Sequence, residues 1–531
     1  MSGRLGKLTP ALLSGALVAA TTLLAQGVDP ARLSQPPTDS WPTYNGNYSG
    51  RRFSPLTKIN TSNISSLSLA WVYRMNTGPF GGGSIKATPL VVDGIMYLTF
   101  PDHVWAIDAR SGREIWHHAW DSVGGMHIGN RGAAIYKNYL YFETPDCHLV
   151  SLNVKDGTQR WNKTICDLEQ MYYGSVAPVV IKNHVIVGVS GDDLDIPGFL
   201  ESRDLETGEL QWHWSVVPKP GEPGSETWPN AEAMAHGGGM TWIPVTYDPD
   251  LNLVYVATGN PQPVIAGKGR LGDNLFTESI VALDVDTGKM KWHFQPSPHD
   301  THDWDATQTP VLFDGTINGQ PRKLIAQASR NGYFFVLDRA TGKSVVTKEF
   351  VKTNWAKGID AKGQPIPDPA KMPQFDGALV TPNQAGAANW PPPSFSPQTG
   401  LFYVNASHAY SVYYLFDTDE KPEGWGGNDR GGWGEAMLQA IDYKTGNIKW
   451  SHKWEGPGVR SGVLSTAGNL VFAGDASSNF VALNATTGEA LWHANLGQGV
   501  SNGPITFDMD GTQYVVAAAG DTLYAFVMLA K

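Results

Sequence analysis

The stretch ALDVDTGKMKW, residues 282 to 292, reads as a strand, a tight turn and a second strand that ends on tryptophan. Thr-Gly closes the turn because glycine accepts the positive φ that a two-strand reversal needs. The same phrase recurs as AIDARSGREIW (106 to 116), SLNVKDGTQRW (151 to 161), SRDLETGELQW (202 to 212), AIDYKTGNIKW (440 to 450) and ALNATTGEALW (482 to 492). A seventh copy, VLDRATGKSVV (336 to 346), lacks only the final Trp. Self-similarity at this period with alternating apolar residues is the signature of a propeller, in which each closing Trp packs across to the next unit. LSLAWVYR, around Trp71, is a half-copy of the closing strand at the front of the chain. Seven copies and this half-copy predict an all-β, eight-bladed β-propeller whose first and last strands complete one blade.

The wider spacings between copies hold GEPGSETWPNAEAMAHGGGMTW and a Pro/Gly-rich run from Ile359 to Pro393. Loops of that length in a compact domain are functional or disordered. These carry Trp, His and Asn beside regular strands and are expected to be ordered covers over one propeller face. The balance of 59 Gly and 19 Trp suits short strands and tight turns. Charged residues make up 17% and the net charge is -11, without a Lys/Arg block, so no nucleic-acid partner is expected. An anionic small molecule can still bind through a few local cations.

At the N-terminus, Arg4 and Lys7 precede an apolar stretch from Ala11 to Ala25. This reads as a secretory signal peptide over residues 1–25, followed by a single propeller domain over 40–531 and export to the periplasm. No later segment is apolar for long enough to span a membrane. The chain has two cysteines, Cys147 and Cys166. A hairpin turning near Asp156 and Gly157 brings them opposite each other, so in an oxidising compartment they can pair. Two cysteines exclude a C-x-x-C-H haem site within this sequence.

PHDTHDWDATQTP, residues 298 to 310, sets Asp300, Asp303 and Asp305 within a few positions. Like-charge neighbours make each other harder to ionise. The three are either splayed into water or share a cation, and for Asp300 alone a solvated turn is the expectation.

The repeat phrase resembles the tryptophan-docking motif of the quinoprotein alcohol dehydrogenases, eight-bladed propellers that carry pyrroloquinoline quinone (PQQ) and a metal ion. The resemblance runs from about Trp41 to nearly the C-terminus. Further motifs follow in the family's order: HIGNRG (127 to 132), SVAPVV (175 to 180), GVSGDDLDIPGFL (188 to 200), GGGMTW (237 to 242), ATGNP (257 to 261), PHDTHDWD (298 to 305), SRNGYFFVLDR (329 to 339) and AANWPP (387 to 392). PQQ is a planar dione with three carboxylates. The resemblance makes Trp242 its stacking floor, and places Arg131 and Arg330 beside it as planar donors that stay charged. Ser175, Ser190 and Asn389 fall at positions that hydrogen-bond the cofactor. Lys86 stands where many relatives carry Glu, and either pairs with a cofactor carboxylate or points to water. Gly125 and Met126 replace a vicinal cysteine pair that forms the other wall in relatives, so Met126 or a neighbour is expected to cover that ring face.

For the metal, the resemblance implies Asp193, Asn260 and Asp303 as ligands, with Asp305 the extra carboxylate of lanthanide-dependent relatives. All offer oxygen, which suits Ca²⁺ or a lanthanide ion better than zinc or copper. Asp193 is one methylene shorter than the family's usual Glu. Asp303 is the implied proton acceptor and Arg330 the group that steadies negative charge on oxygen, with Asp300 outside the site. The expected function is oxidation of an alcohol by hydride transfer to PQQ, the electrons leaving to an external carrier such as a periplasmic cytochrome. A sugar or polyol substrate, or a non-catalytic propeller scaffold, is the alternative.

Overall fold

The computed structural model of the chain describes residues 27–77, 83–191, 195–416, 424–456, 458 and 461–529. Within them, eight blades of mainly antiparallel strands succeed one another along the chain, and Ala356–Ile359 pairs with Pro365–Pro367 in a small ninth sheet. In the first, Leu90–Val92, Ile95–Phe100, His103–Asp108 and Glu114–Ala119 pair in sequence order. The leading strand is wholly buried, whereas Glu114–Ala119 is mostly exposed on alternate positions. Each later blade repeats the arrangement from a buried first strand to a half-exposed fourth. The eighth is composite: Ile505–Met509, Thr512–Ala519 and Thr522–Met528 are completed by Leu67–Arg74 from the front of the chain, with Trp71 opposite Ala525. The ring is therefore closed by strand pairing between the two ends, as the half-copy predicted.

The repeat turns explain how neighbouring blades grip each other. The indole N–H of Trp116 donates to the Val154 carbonyl, Trp212 to Val285, Trp292 to Arg339 and Trp450 to Ala485, at 3.0, 2.8, 3.1 and 3.0 Å. Each accepting carbonyl lies three residues before the glycine of the next blade's Thr-Gly or Asp-Gly turn. That glycine has φ between +67° and +76° and lies flat on the ring: a Cβ at Gly288 would sit 2.7 Å from Trp212. In the copy that lacks Trp, Val346 fills the place, 3.1 Å from a Cβ at Gly446. A Gly288→Ala substitution therefore meets both a disfavoured backbone region and an aromatic clash, and should cost about 1–3 kcal/mol. Urea unfolding of the variant checks this, and an unchanged midpoint would remove the docking account.

Cys147 and Cys166 form a disulfide across the second blade's outer hairpin, with Cα atoms 5.2 Å apart. The hairpin register places Thr164 opposite His148, and Ile165 donates its N–H to the Cys147 carbonyl. Among the described residues, no helix is long and apolar enough to cross a membrane. The expected signal peptide lies outside the described residues.

Strand direction now separates two faces. In a blade that runs outward strand by strand, the turns after the first and third strands lie on one face. The turn after the second and the crossing to the next blade lie on the other. The Thr-Gly turns occupy the first face. The long insertions 216–245, 258–279, 295–310 and 350–393 all fall in second-strand turns or crossings, and so cover the second.

Candidate active site

All the described residues singled out from the sequence arise from that second face. Asn260 and Arg330 lie in second-strand turns; Arg131, Ser175, Trp242, Asp303, Asp305 and Asn389 lie in crossings between blades. Strand order explains how residues nearly 260 positions apart share one surface.

At the centre is Arg330, 6% exposed. One terminal nitrogen donates to Asp305 at 2.7 Å; the other reaches Asp303 at 3.1 Å and the Gln384 carbonyl at 2.6 Å. The Gln384 amide donates to the same Asp303 oxygen at 3.0 Å. Burial raises the Asp303 carboxyl to about 8, with Arg330 opposing and Asp305 adding to the rise. Asp303 thus holds its proton more tightly than an ordinary carboxyl. Burial works to lower Arg330, but Asp303 and Asp305 outweigh it and hold the guanidinium charged. Asp305 is engaged at both oxygens, because its second accepts from the Asn260 N–H at 2.7 Å.

Asp300 corrects the expectation of a solvated turn. It is 3% exposed, and its carboxylate accepts from the backbone N–H groups of His302 and Trp304 at 3.2 and 3.1 Å. These bonds fold the loop back on itself and hold Asp303 at φ +63°, a conformation Asp tolerates better than most residues. Arg270, fully buried, fixes the loop from below through the Asp300 carbonyl at 2.5 Å. Trp304, 0% exposed and bonded to the Asn383 carbonyl, anchors the other side. Asp300 thus positions Asp303 without facing it. The sequence reading missed Gln384 and Arg270; Gln384 lies in the insertion already marked as an ordered cover.

A second group surrounds Trp242. The Arg131 guanidinium lies 4.5 Å from the centre of that ring and 5.4 Å from Trp390. It donates to the Ser175 hydroxyl at 2.6 Å, and Ser175 pairs with Ser190 at 2.7 Å. Met126 is 45% exposed. The Lys86 ammonium donates to the Ile128 carbonyl at 2.6 Å, and burial together with Arg131 lowers its proton affinity. The Asn389 amide bonds within its own loop, to the Ala385 carbonyl and the Trp390 N–H, and so orients Trp390. Asp193 lies outside the described residues.

The chemistry of these groups suits the expected cofactor. A flat buried ring whose indole N–H has no partner, two neighbouring cations and a hydroxyl pair match a planar polyanion. The Asp303, Asp305 and Asn260 set offers only oxygen, which suits a hard cation. Among the described residues, His, Cys, Asp and Glu side chains do not by themselves form a group of three that could hold a metal ion.

Comparison with known proteins follows the same lines. A family model described as glucose/ethanol/alcohol dehydrogenase, beta-propeller domain, matches residues 41–376. One described as outer membrane protein assembly factor BamB matches 434–528, a segment that carries none of the residues above. A quinohemoprotein alcohol dehydrogenase of Comamonas testosteroni is 39% identical over 91% of this chain and 73% of its own length. The structure of quinohemoprotein alcohol dehydrogenase ADHIIG from Pseudomonas putida HK5 superposes with a TM-score of 0.88 at 33% identity, covering 95% of this chain and 83% of that one. A europium-containing methanol dehydrogenase superposes at 0.85 with 29% identity, over 94% of this chain and 99% of that one.

Proposed function

Because the chain belongs to the PQQ-dependent alcohol dehydrogenases of the propeller kind, we propose that its catalytic unit is Asp303, Arg330 and Gln384, acting on an alcohol beside PQQ and a hard cation. The observation that carries this reading is the buried Asp303 carboxyl held by Arg330 and Gln384. When bound, PQQ accepts the hydride and the cation polarises its carbonyl.

The remaining chemistry belongs to the chain. An alcohol R–CH₂–OH becomes an aldehyde by giving up a hydride from carbon and a proton from oxygen. Asp303 takes that proton at its Oδ. Gln384 and Arg330 fix the carboxylate from one side, which leaves its other oxygen for the substrate hydroxyl. Arg330, kept charged by two aspartates, steadies negative charge that develops on oxygen. Trp242 provides the floor for the quinone ring; Arg131 and Lys86 meet its carboxylates, and the Ser175 and Ser190 pair supplies hydroxyl contacts. Asn260, Asp303 and Asp305 contribute oxygen to the cation, Ca²⁺ or a lanthanide, together with Asp193. The europium in the name of one structural neighbour supports the lanthanide alternative. Export to the periplasm, expected from the N-terminal stretch, would put the enzyme beside an external electron carrier. Both cysteines are bound in the disulfide, so haem attached through C-x-x-C-H has no place in this sequence. A cytochrome is the proposed carrier.

Equilibrium dialysis of the metal-free chain with PQQ and La³⁺ or Ca²⁺ tests the site. Retention of one quinone per chain is expected, weakened at least tenfold in Trp242→Ala, which loses a large stacking surface. No retention with either metal would overturn the reading. Dye reduction over alcohols, aldehydes and polyols then identifies the substrate.

A further inference from the structure

Glu143 has no role in the site described so far, yet it is wholly buried beneath it. It ends the second strand of the second blade, Tyr139–Glu143, where the chain turns on the second face. One carboxyl oxygen accepts from the backbone N–H of Val176 at 2.5 Å, across 33 residues; the other is buried with no hydrogen-bond partner. Burying an acid in that state is costly. What the cost secures is visible in the segment it holds.

Val176 follows Ser175, whose hydroxyl receives the Arg131 guanidinium at 2.6 Å and meets Ser190 at 2.7 Å. The peptide unit between Ser175 and Val176 is planar, so its carbonyl and its N–H turn together. Arg131 holds the carbonyl end, through its backbone N–H at 3.1 Å and its guanidinium at 3.3 Å. Glu143 holds the N–H end. The crossing is also seated closely on the turn that follows Glu143. Gly174 donates to the Pro145 carbonyl at 3.3 Å, and a Cβ at Gly174 would lie 2.2 Å from the Thr144 carbonyl oxygen and 2.5 Å from Glu143 Cγ. The Cys147–Cys166 disulfide ties the same turn to the same crossing. On its other side, the Glu143 carbonyl accepts from the Asn130 amide at 2.9 Å, one residue before Arg131.

We propose that Glu143 is a positioning residue of the cofactor site: by holding the Val176 N–H it fixes the peptide after Ser175 and so keeps the Ser175 hydroxyl, with Arg131 bonded to it, in place for the quinone. This rests on the cofactor reading above. The role is that of an acceptor and needs no charge. Burial pushes the Glu143 carboxyl well above its usual range, against the opposing N–H groups of Val176 and Ser175 and the Arg131 charge. A protonated acid still offers its carbonyl oxygen to the Val176 N–H.

The test is equilibrium dialysis of PQQ against the full chain in CaCl₂, and separately in LaCl₃. Glu143→Leu strands the Val176 N–H and should weaken PQQ retention about tenfold. Glu143→Gln keeps an oxygen for that N–H and should stay within about threefold of wild type. Glu143→Ala also removes the acceptor, should repeat the Leu result, and stands in if the Leu variant fails to fold. In a Ser175→Ala background the Leu change should have little further effect, because the hydroxyl through which it acts is gone. Unchanged retention in the Leu and Ala variants overturns the proposal. So does a loss of equal size with and without the Ser175 hydroxyl, or an equal loss in the Gln and Leu variants. Wild-type protein that retains no PQQ with either ion overturns the cofactor reading itself, a result distinct from equal retention by wild type and variants.

Discussion

An Asp303→Asn variant should fold, retain PQQ and lose turnover by roughly 10²–10⁴-fold, the usual contribution of a positioned general base. The amide fills the same space and can still face Arg330, but it cannot take a proton. Stopped-flow reduction with saturating alcohol measures the loss, and turnover within tenfold of wild type would remove Asp303 as the base. The variant has a second signature. Folded Asp303 holds its proton to about pH 8, whereas an unfolded carboxyl releases it near pH 4. The folded state therefore binds more protons between those values, and stability falls as pH rises. Asp303's contribution is whole below about pH 4 and is lost as pH passes through about 8. In the metal-free protein Asp303→Asn should flatten that decline, which ties the lost turnover to the same carboxyl.

Arg330→Ala should be the most damaging substitution for stability. It strips two buried aspartates of their shared cation, and an uncompensated buried charge typically costs about 3–5 kcal/mol. Urea denaturation of the metal-free variant checks this. The double variant Arg330→Ala with Asp305→Ala should recover part of the loss, because one stranded carboxylate has gone. A single-variant loss below about 1 kcal/mol, within the range of exposed ion pairs, would show that water reaches this array.

Much of this molecule is legible in its amino-acid order. Trp212, Trp292 and Trp450 carry their meaning locally, since each ends a strand a fixed distance after a glycine turn. Repetition then converts a hairpin signal into a closed ring. Trp242, Asp303 and Arg330 stand out through motifs whose residue types match a planar anion, a proton acceptor and a fixed cation. Other residues gained their roles only in the folded chain. Asp300 reads as a polar loop residue, yet the crossing between the fourth and fifth blades buries it and turns one of its oxygens onto the backbone of its own loop. Asn389 bonds the Ala385 carbonyl and the Trp390 N–H within its own loop. Gln384 reaches Asp303 across 81 residues. Glu278 reads as a polar residue in a turn, yet it is wholly buried and its carboxyl oxygens lack hydrogen-bond partners. Strand and turn patterns depend on near neighbours and a short period, so sequence alone determined the blades and their number. Which loop polar groups end up buried, and against what, depends on segments joined only when the ring closes; the tertiary structure decided that, because burial sets the cost of each charge and the partner it must find.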